Sequence, residues 1–212
     1  MCYTFRMKVP RRNRSGFTAI EMVVSLAIIV LIGSQVMISF SGLGQGVALN
    51  RAAREIVGEI RKAQYASLAV TYAHLPVGSV PAFVVPPAIG VRLDTTTPQQ
   101  TLRFADRGNE TCPPGCPTPD FPNPPDGTYS DSRERIATYA LPGAIKIRKI
   151  TDQTSASYTI VHILFQTPEA TLTFTKDDGT PIPGNRLDIE LTGGNGAKKT
   201  LTVHITGEIN VP

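Results

Sequence analysis

The 212-residue sequence predicts an α+β protein in which a long N-terminal helix, with a membrane-spanning half and an amphipathic half, packs on an antiparallel β-rich head. Three observations predict it. Residues 17–40 form an almost uncharged apolar run. Residues 48–68 repeat apolar side chains every three or four positions, the period of one helix face. Beyond a group of prolines, several short segments alternate apolar and polar residues, the period of a strand with one buried face. Composition agrees: hydrophobic residues are 41% and charged residues 18%, enough for a modest core and against a disordered chain, while 18 Gly, 18 Pro and no Trp favour strands and loops over a helical bundle.

Residues 1–16 stand apart as a basic leader. Arg6, Lys8, Arg11, Arg12 and Arg14 lie there with no acid among them, and setting these five aside turns the formal charge from +4 to −1 for the rest. The remainder therefore has no general electrostatic attraction for phosphates. A twin-arginine reading of Arg11 and Arg12 fits the flanking residues poorly.

The second segment, 17–41, reads as a transmembrane or filament-core helix. Its first 24 residues carry one charge, Glu21, and as a helix they would span about 36 Å, more than the ~30 Å of a bilayer core. A secretory signal has a shorter apolar stretch and a small-residue cleavage site, which this run lacks. The five bases in front place the N-terminus in the cytoplasm by the positive-inside rule. The expected location is thus a single-pass inner (cytoplasmic) membrane, with a periplasmic or extracellular head.

Glu21 is the most informative residue, because a carboxylate near the end of a membrane helix costs about 2 to 3 kcal/mol unless it is paired or near the surface. Two readings stay open. Glu21 reaches the headgroup layer, or it meets a cation. A cut after Gly16 would supply one, since the new α-amine of Phe17 would lie a helical turn away, in the same subunit or an adjoining one.

Arg14, Ser15 and Gly16, followed by Phe17-Thr-Ala-Ile-Glu21 and an apolar helix, resemble the leader and cleavage site of type IV prepilins and type II secretion pseudopilins. The resemblance implies removal of the leader after Gly16 by a prepilin peptidase, N-methylation of Phe17, and a docking role for Glu21 in a filament. It also implies a type IV pilin-like fold, no catalysis and no cofactor. The implied partners are other pilin or pseudopilin subunits, the peptidase, an inner-membrane assembly platform and membrane lipid. Tip subunits of that family can lack the acid, so Glu21 implies a subunit that docks beneath another.

The third segment, 42–75, continues the helix. Leu49, Ala53, Ile56, Ile60, Ala63 and Ser67 form one stripe, with Arg51, Arg54, Glu55, Arg61 and Lys62 around the rest. Gly42, Gly44 and Gly46 weaken the helix by roughly 1 kcal/mol each relative to Ala and mark a bend or a juxtamembrane linker. Residues 76–212 form the head, its helix stopped by Pro76, Pro81, Pro86 and Pro87. Strands are expected at 89–94, 100–104, 144–150, 158–165, 170–175, 186–191 and 200–206. The last three are expected to form a meander through Asp177-Asp178-Gly179 and Gly193-Gly194-Asn195-Gly196. The segment with Arg61-Lys-Ala-Gln-Tyr-Ala66, with the order of the later strands, is similar to the GspH/FimT class of minor pilins and pseudopilins.

Residues 111–125 hold seven prolines and form an exposed loop. Cys112 and Cys116 lie in it, across a Pro-Pro-Gly turn, and are the candidate disulfide; zinc would need two more ligands. His74 is expected at the end of the helix, His162 inside an apolar strand and His204 on a wet strand face, with no metal-ligand spacing among them. No nucleophile, phosphate-loop or dinucleotide motif appears, so no enzyme, metal or cofactor is expected. The function expected is that of a minor pilin or pseudopilin in a type IV pilus or type II secretion pseudopilus. The alternative is a DNA-binding minor pilin acting in natural transformation. That reading wants a basic C-terminal tail, and Glu208 stands where a base is needed. The clustered bases of the head, Arg148-Lys149 and Lys198-Lys199, are ordinary for solvated strands, so nucleic acid is disfavoured as a partner.

Overall fold

The computed structural model describes residues 16, 18–71, 73–77, 80–107, 125–130 and 134–211; for 36–43, 73–77 and 80–84 it describes the backbone alone. The elements are α1 (Ala19–Leu68), β1 (Ala73–Val77), β2 (Val80–Val84), β3 (Ala88–Asp94), β4 (Gln100–Asp106), β5 (Arg135–Ala140), β6 (Lys146–Asp152), β7 (Ser157–Tyr158), β8 (Ile160–Gln166), β9 (Thr171–Lys176), β10 (Arg186–Thr192), β11 (Lys198–His204) and β12 (Ile209–Asn210). The chain divides into two compact units, Met1–Gly42 and Leu43–Pro212, so α1 contributes to both.

The second unit is dominated by two five-stranded antiparallel sheets, in the orders β5-β4-β3-β8-β9 and β12-β11-β10-β6-β7, with β1 and β2 as a separate hairpin. Their inner faces and one stripe of α1 make a single core. Leu49, Ala53, Ile56, Ile60, Ala63 and Ser67, the expected stripe, are all buried. Across from them lie Val91, Leu93, Ile163 and Phe165 of one sheet and Ile147, Ile150, Leu187, Ile189, Leu201 and Val203 of the other. Each side chain of this size withdrawn from water contributes about 1.5 to 3 kcal/mol.

Polar contacts fix the helix on this core. Glu59, nearly buried, receives Arg103 of β4 at 3.0 Å and Lys62 at 2.6 Å. Ser67 Oγ donates to the Phe165 carbonyl of β8 at 3.1 Å. The helix then ends in a reverse turn: Thr71 N–H reaches the Ala66 carbonyl and Val70 N–H the Ser67 carbonyl, with Val70 at φ 49° in the left-handed conformation that such a C-cap requires and glycine usually supplies.

Four loops share one local device. Asp94, Asp126, Asp152 and Asp178 each accept the backbone N–H of a threonine two residues on, at 2.7 to 2.9 Å, and the first three accept that threonine's hydroxyl as well. A carboxylate holding its own chain in this way fixes a turn; in two of the four the central residue is a glycine at positive φ, Gly127 at 79° and Gly179 at 77°.

Several expectations are corrected. A long N-terminal helix packed on a β head as one α+β body is not what the structure shows: the architecture is mostly β, and every described side chain of α1 from Ala19 to Gln35 is exposed. No helix among the described residues is long and apolar enough to cross a membrane. This overturns the transmembrane helix at 17–41 and, with it, the single-pass inner-membrane location and its cytoplasmic N-terminus. The physical reason is length: the described apolar run, 19–32, covers about 21 Å as helix and gives way to Gly33, Ser34 and Gln35. Gly44 and Gly46 do not break α1, although the boundary between the two units follows Gly42. The expected three-strand meander is also split. β9 joins the first sheet and β10 and β11 the second, because the chain after Lys176 turns through Thr180, bridges Thr175 to Pro181 and leaves for the other layer.

Candidate functional site

The residues singled out at the start of the chain fall on the first turn of α1. Gly16 is exposed, and Phe17 and the leader residues 1–15 lie outside the described residues. Thr18 caps the helix: its carbonyl accepts the N–H of Glu21 at 3.1 Å and of Met22 at 3.2 Å, and its hydroxyl accepts the Glu21 N–H at 3.4 Å. Thr18 and Glu21 are thus the first and fourth residues of a T-x-x-E capping pattern, which also places an acid at the positive end of the helix. This second reason for a glutamate was legible in the sequence and is independent of any partner. Downstream, the exposed side chains run from Ile20, 74% accessible, to Ile32, 60%. An isolated helix with apolar residues on all sides presents a surface that water penalises until something covers it. Cys112, Cys116 and most of the proline-rich loop lie outside the described residues.

The histidines are spread across three strands. His74 is on β1 and not at a helix end, since α1 stops at Leu68. His204 is half-exposed on β11. His162 on β8 is fully buried, its Nδ1 3.2 Å from the Lys176 carbonyl and its ring edge-on to Phe104 at 5.4 Å. Burial pushes its pKa down to about 4.

Sequence reasoning missed a cluster on the outer side of the first sheet, where residues 125–130 lie over Ala88, Phe104 and Leu164 through Tyr129. Tyr129 meets Phe104 edge-to-face at 5.6 Å and receives the Arg92 guanidinium at 5.5 Å. Two carboxylates hold this strap by its backbone. Asp106 accepts the N–H groups of Asp126 and Gly127 at 3.2 and 2.8 Å. Glu134 accepts those of Arg107 and Ser130 at 3.1 and 2.7 Å. Burial, aided by the charges of Asp106 and Asp126, pushes the Glu134 carboxyl up to about 7, against those two hydrogen bonds. The alternation rule fails to find these residues because Asp106 and Glu134 sit at strand ends, where polar side chains are ordinary.

A cleft of about 210 Å³ opens between Arg92, Asp94, Thr97, Gln100, Leu102 and Tyr129. Its charged residues, Arg92 and Asp94, pair with each other at 3.0 Å, leaving it no net charge to select a ligand. Among the described residues, no group of three or more His, Cys, Asp or Glu side chains is arranged to hold a metal ion. Comparison with known proteins adds no relative: no protein-family model, no curated protein and no solved structure matches the chain.

Proposed function

We propose that the chain is a minor pilin or pseudopilin, a structural subunit without catalysis of its own. It is matured between Gly16 and Phe17 by a prepilin peptidase, methylated at Phe17, and incorporated among other subunits with Glu21 as the docking acid. The observation that carries the reading is the juxtaposition at the start of α1. An exposed Gly16 stands just ahead of the helix cap, Glu21 is exposed on the first turn, and an apolar surface from Ile20 to Ile32 follows at once. A buried-subunit helix needs these three things in that order: an accessible cut, an acid beside the new amine, and a face that neighbours cover.

The test is mass spectrometry of the N-terminal peptide from sheared surface filaments and from the residual cells, with Glu21→Ala alongside. A methylated peptide beginning at Phe17, below the amount of a major subunit and lost from the filament fraction in Glu21→Ala, is expected. An intact leader in both fractions would remove the basis of the reading. A processed peptide whose incorporation is indifferent to Glu21→Ala would refute the docking role.

A further inference from the structure

The outer face of the second sheet brings Lys198 beside the bases of residues 146–149. β6, β10 and β11 are neighbours, and in register Lys146 and Lys198 flank Thr192 from opposite sides, while Lys149 lies beside Glu190. The register shifts at Glu190 and Leu191, so Arg148 is the extra residue of a bulge and comes to the same face. Its guanidinium meets Glu190 at 2.9 Å, and Lys198 reaches the same carboxylate oxygen at 3.3 Å. The opposite face of these strands is the core, with Ile147, Ile150, Leu187, Ile189, Leu191, Leu201 and Val203 buried.

Four cations thus surround the Glu190 carboxylate, a local excess of three positive charges on a chain that is slightly negative beyond its leader; the next acid on that face, Asp188, is paired with Arg186 at 3.0 Å. Lys146 and Lys149 are exposed and have no ion pair among the described residues. Of the adjacent bases in the sequence, the bulge keeps Arg148 and Lys149 together on this face, whereas Lys198 and Lys199 are separated. Lys199 falls opposite Leu191, on the other side of the strand from Lys198, and the cluster is re-formed across strands.

We propose that this face docks an acidic polypeptide segment of a partner protein. Strands about 4.8 Å apart put Lys146 and Lys198 roughly 10 Å from each other, and an extended segment repeats same-side carboxylates about every 6.8 Å. Two or three acidic side chains therefore match the patch. Glu190 tethers Arg148 and Lys198 beforehand, which reduces the side-chain entropy lost on docking. A nucleic-acid backbone fits less well. Duplex DNA carries a phosphate charge about every 1.7 Å of its axis and is bound by neutralising many of them, whereas this face offers four cations, two of which already hold Glu190. The inference does not rest on the subunit reading, since all four cations belong to the unit Leu43–Pro212.

The test uses the full chain in mild detergent and fluorescence anisotropy with two probes, a labelled deca-glutamate peptide and a labelled 20-base-pair duplex. Lys146→Glu/Lys149→Glu is expected to weaken deca-glutamate binding at least tenfold. Lys146→Arg/Lys149→Arg and the equal charge change Arg135→Glu/Lys176→Glu, placed on the other sheet, are expected to stay within twofold of the unmodified chain. Duplex binding, carried by the leader bases, is expected to fall no more in the patch variant than in the other-sheet control. Equal deca-glutamate affinity in the unmodified chain and the patch variant would overturn the proposal. So would a tenfold loss confined to the duplex, which would make the face a nucleic-acid surface.

Discussion

Replacing His162 with leucine should remove one specific component of the acid sensitivity of the β unit. A carbonyl can only accept, so the contact with Lys176 places the imidazole proton on Nδ1. Nε2 is left as a buried lone pair with no hydrogen-bond partner among the described residues. Protonating it would put a second N–H and a charge beside Phe104. Burial is the main reason the pKa falls from 6.5 to about 4; the Arg92 charge adds to it, and the Lys176 carbonyl, Asp177 and Asp126 oppose it. The sign follows from linkage. Above pH 6.5 the ring is neutral folded and unfolded. Between pH 6.5 and 4 the unfolded chain takes up a proton that the folded chain refuses, so stability is lost as pH falls. At about 1.4 kcal/mol per pKa unit the full effect is about 3 kcal/mol, of which about 2 to 3 kcal/mol is expressed by pH 4.5. The assay is urea unfolding at half-unit steps from pH 7.5 to 4.5. Glu134 acts in the opposite direction, its raised carboxyl favouring the folded state as pH falls from about 7 toward 4.5, but it is common to both proteins and cancels in the difference. The stability of His162→Leu relative to the unmodified chain should be flat above pH 7 and rise by about 2 to 3 kcal/mol by pH 4.5. Parallel curves over the whole range would refute the buried-neutral assignment.

Two further outcomes follow from the backbone. Val70→Gly should stabilise the unit by about 1 kcal/mol, because a β-branched side chain is replaced by glycine at φ 49°; a thermal melt showing no increase would mean the C-cap is not held in that conformation. Gly90→Ala should destabilise by about 1 to 3 kcal/mol, since a Cβ there would sit 2.8 Å from the Phe104 ring and 3.1 Å from Leu164. Combining it with Phe104→Leu should recover part of the loss in the same denaturant series.

Periodicity carried much of this fold. The helix stripe from Leu49 to Ser67 was readable residue by residue, and strands form over most of 89–94, 100–104, 186–191 and 200–206; burial alternates along β10, whereas β3 is covered on both faces. The missed elements lack that signal. β5 is exposed or half-exposed throughout as an edge strand, so no alternation marks it, and β1 and β2 contain the prolines that argue against a strand. The membrane span failed for another reason: an apolar run reports hydrophobicity without reporting what covers it, and the described run is too short. Of the site, Gly16, Glu21 and the capping Thr18 were visible as a local motif. The Glu134 cluster was not, because it joins strand ends to residues 125–130, which carry no periodicity; of the Lys146 cluster only the pair Arg148-Lys149 was, the rest being gathered by strand register.

The strand order has a consequence for how the β unit comes apart. β3 pairs with β8 from Ala88 with Gln166 to Asp94 with Ile160, and β6, which lies within the stretch that this pairing closes, crosses to the other sheet to join β10, which lies outside it. The two sheets are therefore interleaved along the chain like the fingers of folded hands. Each sheet needs its own long-range closure, β3 with β8 in one and β6 with β10 in the other. The two sheets also share one core with the α1 stripe, so losing either layer would expose the apolar face of the other, and the unit is expected to unfold as one cooperative block.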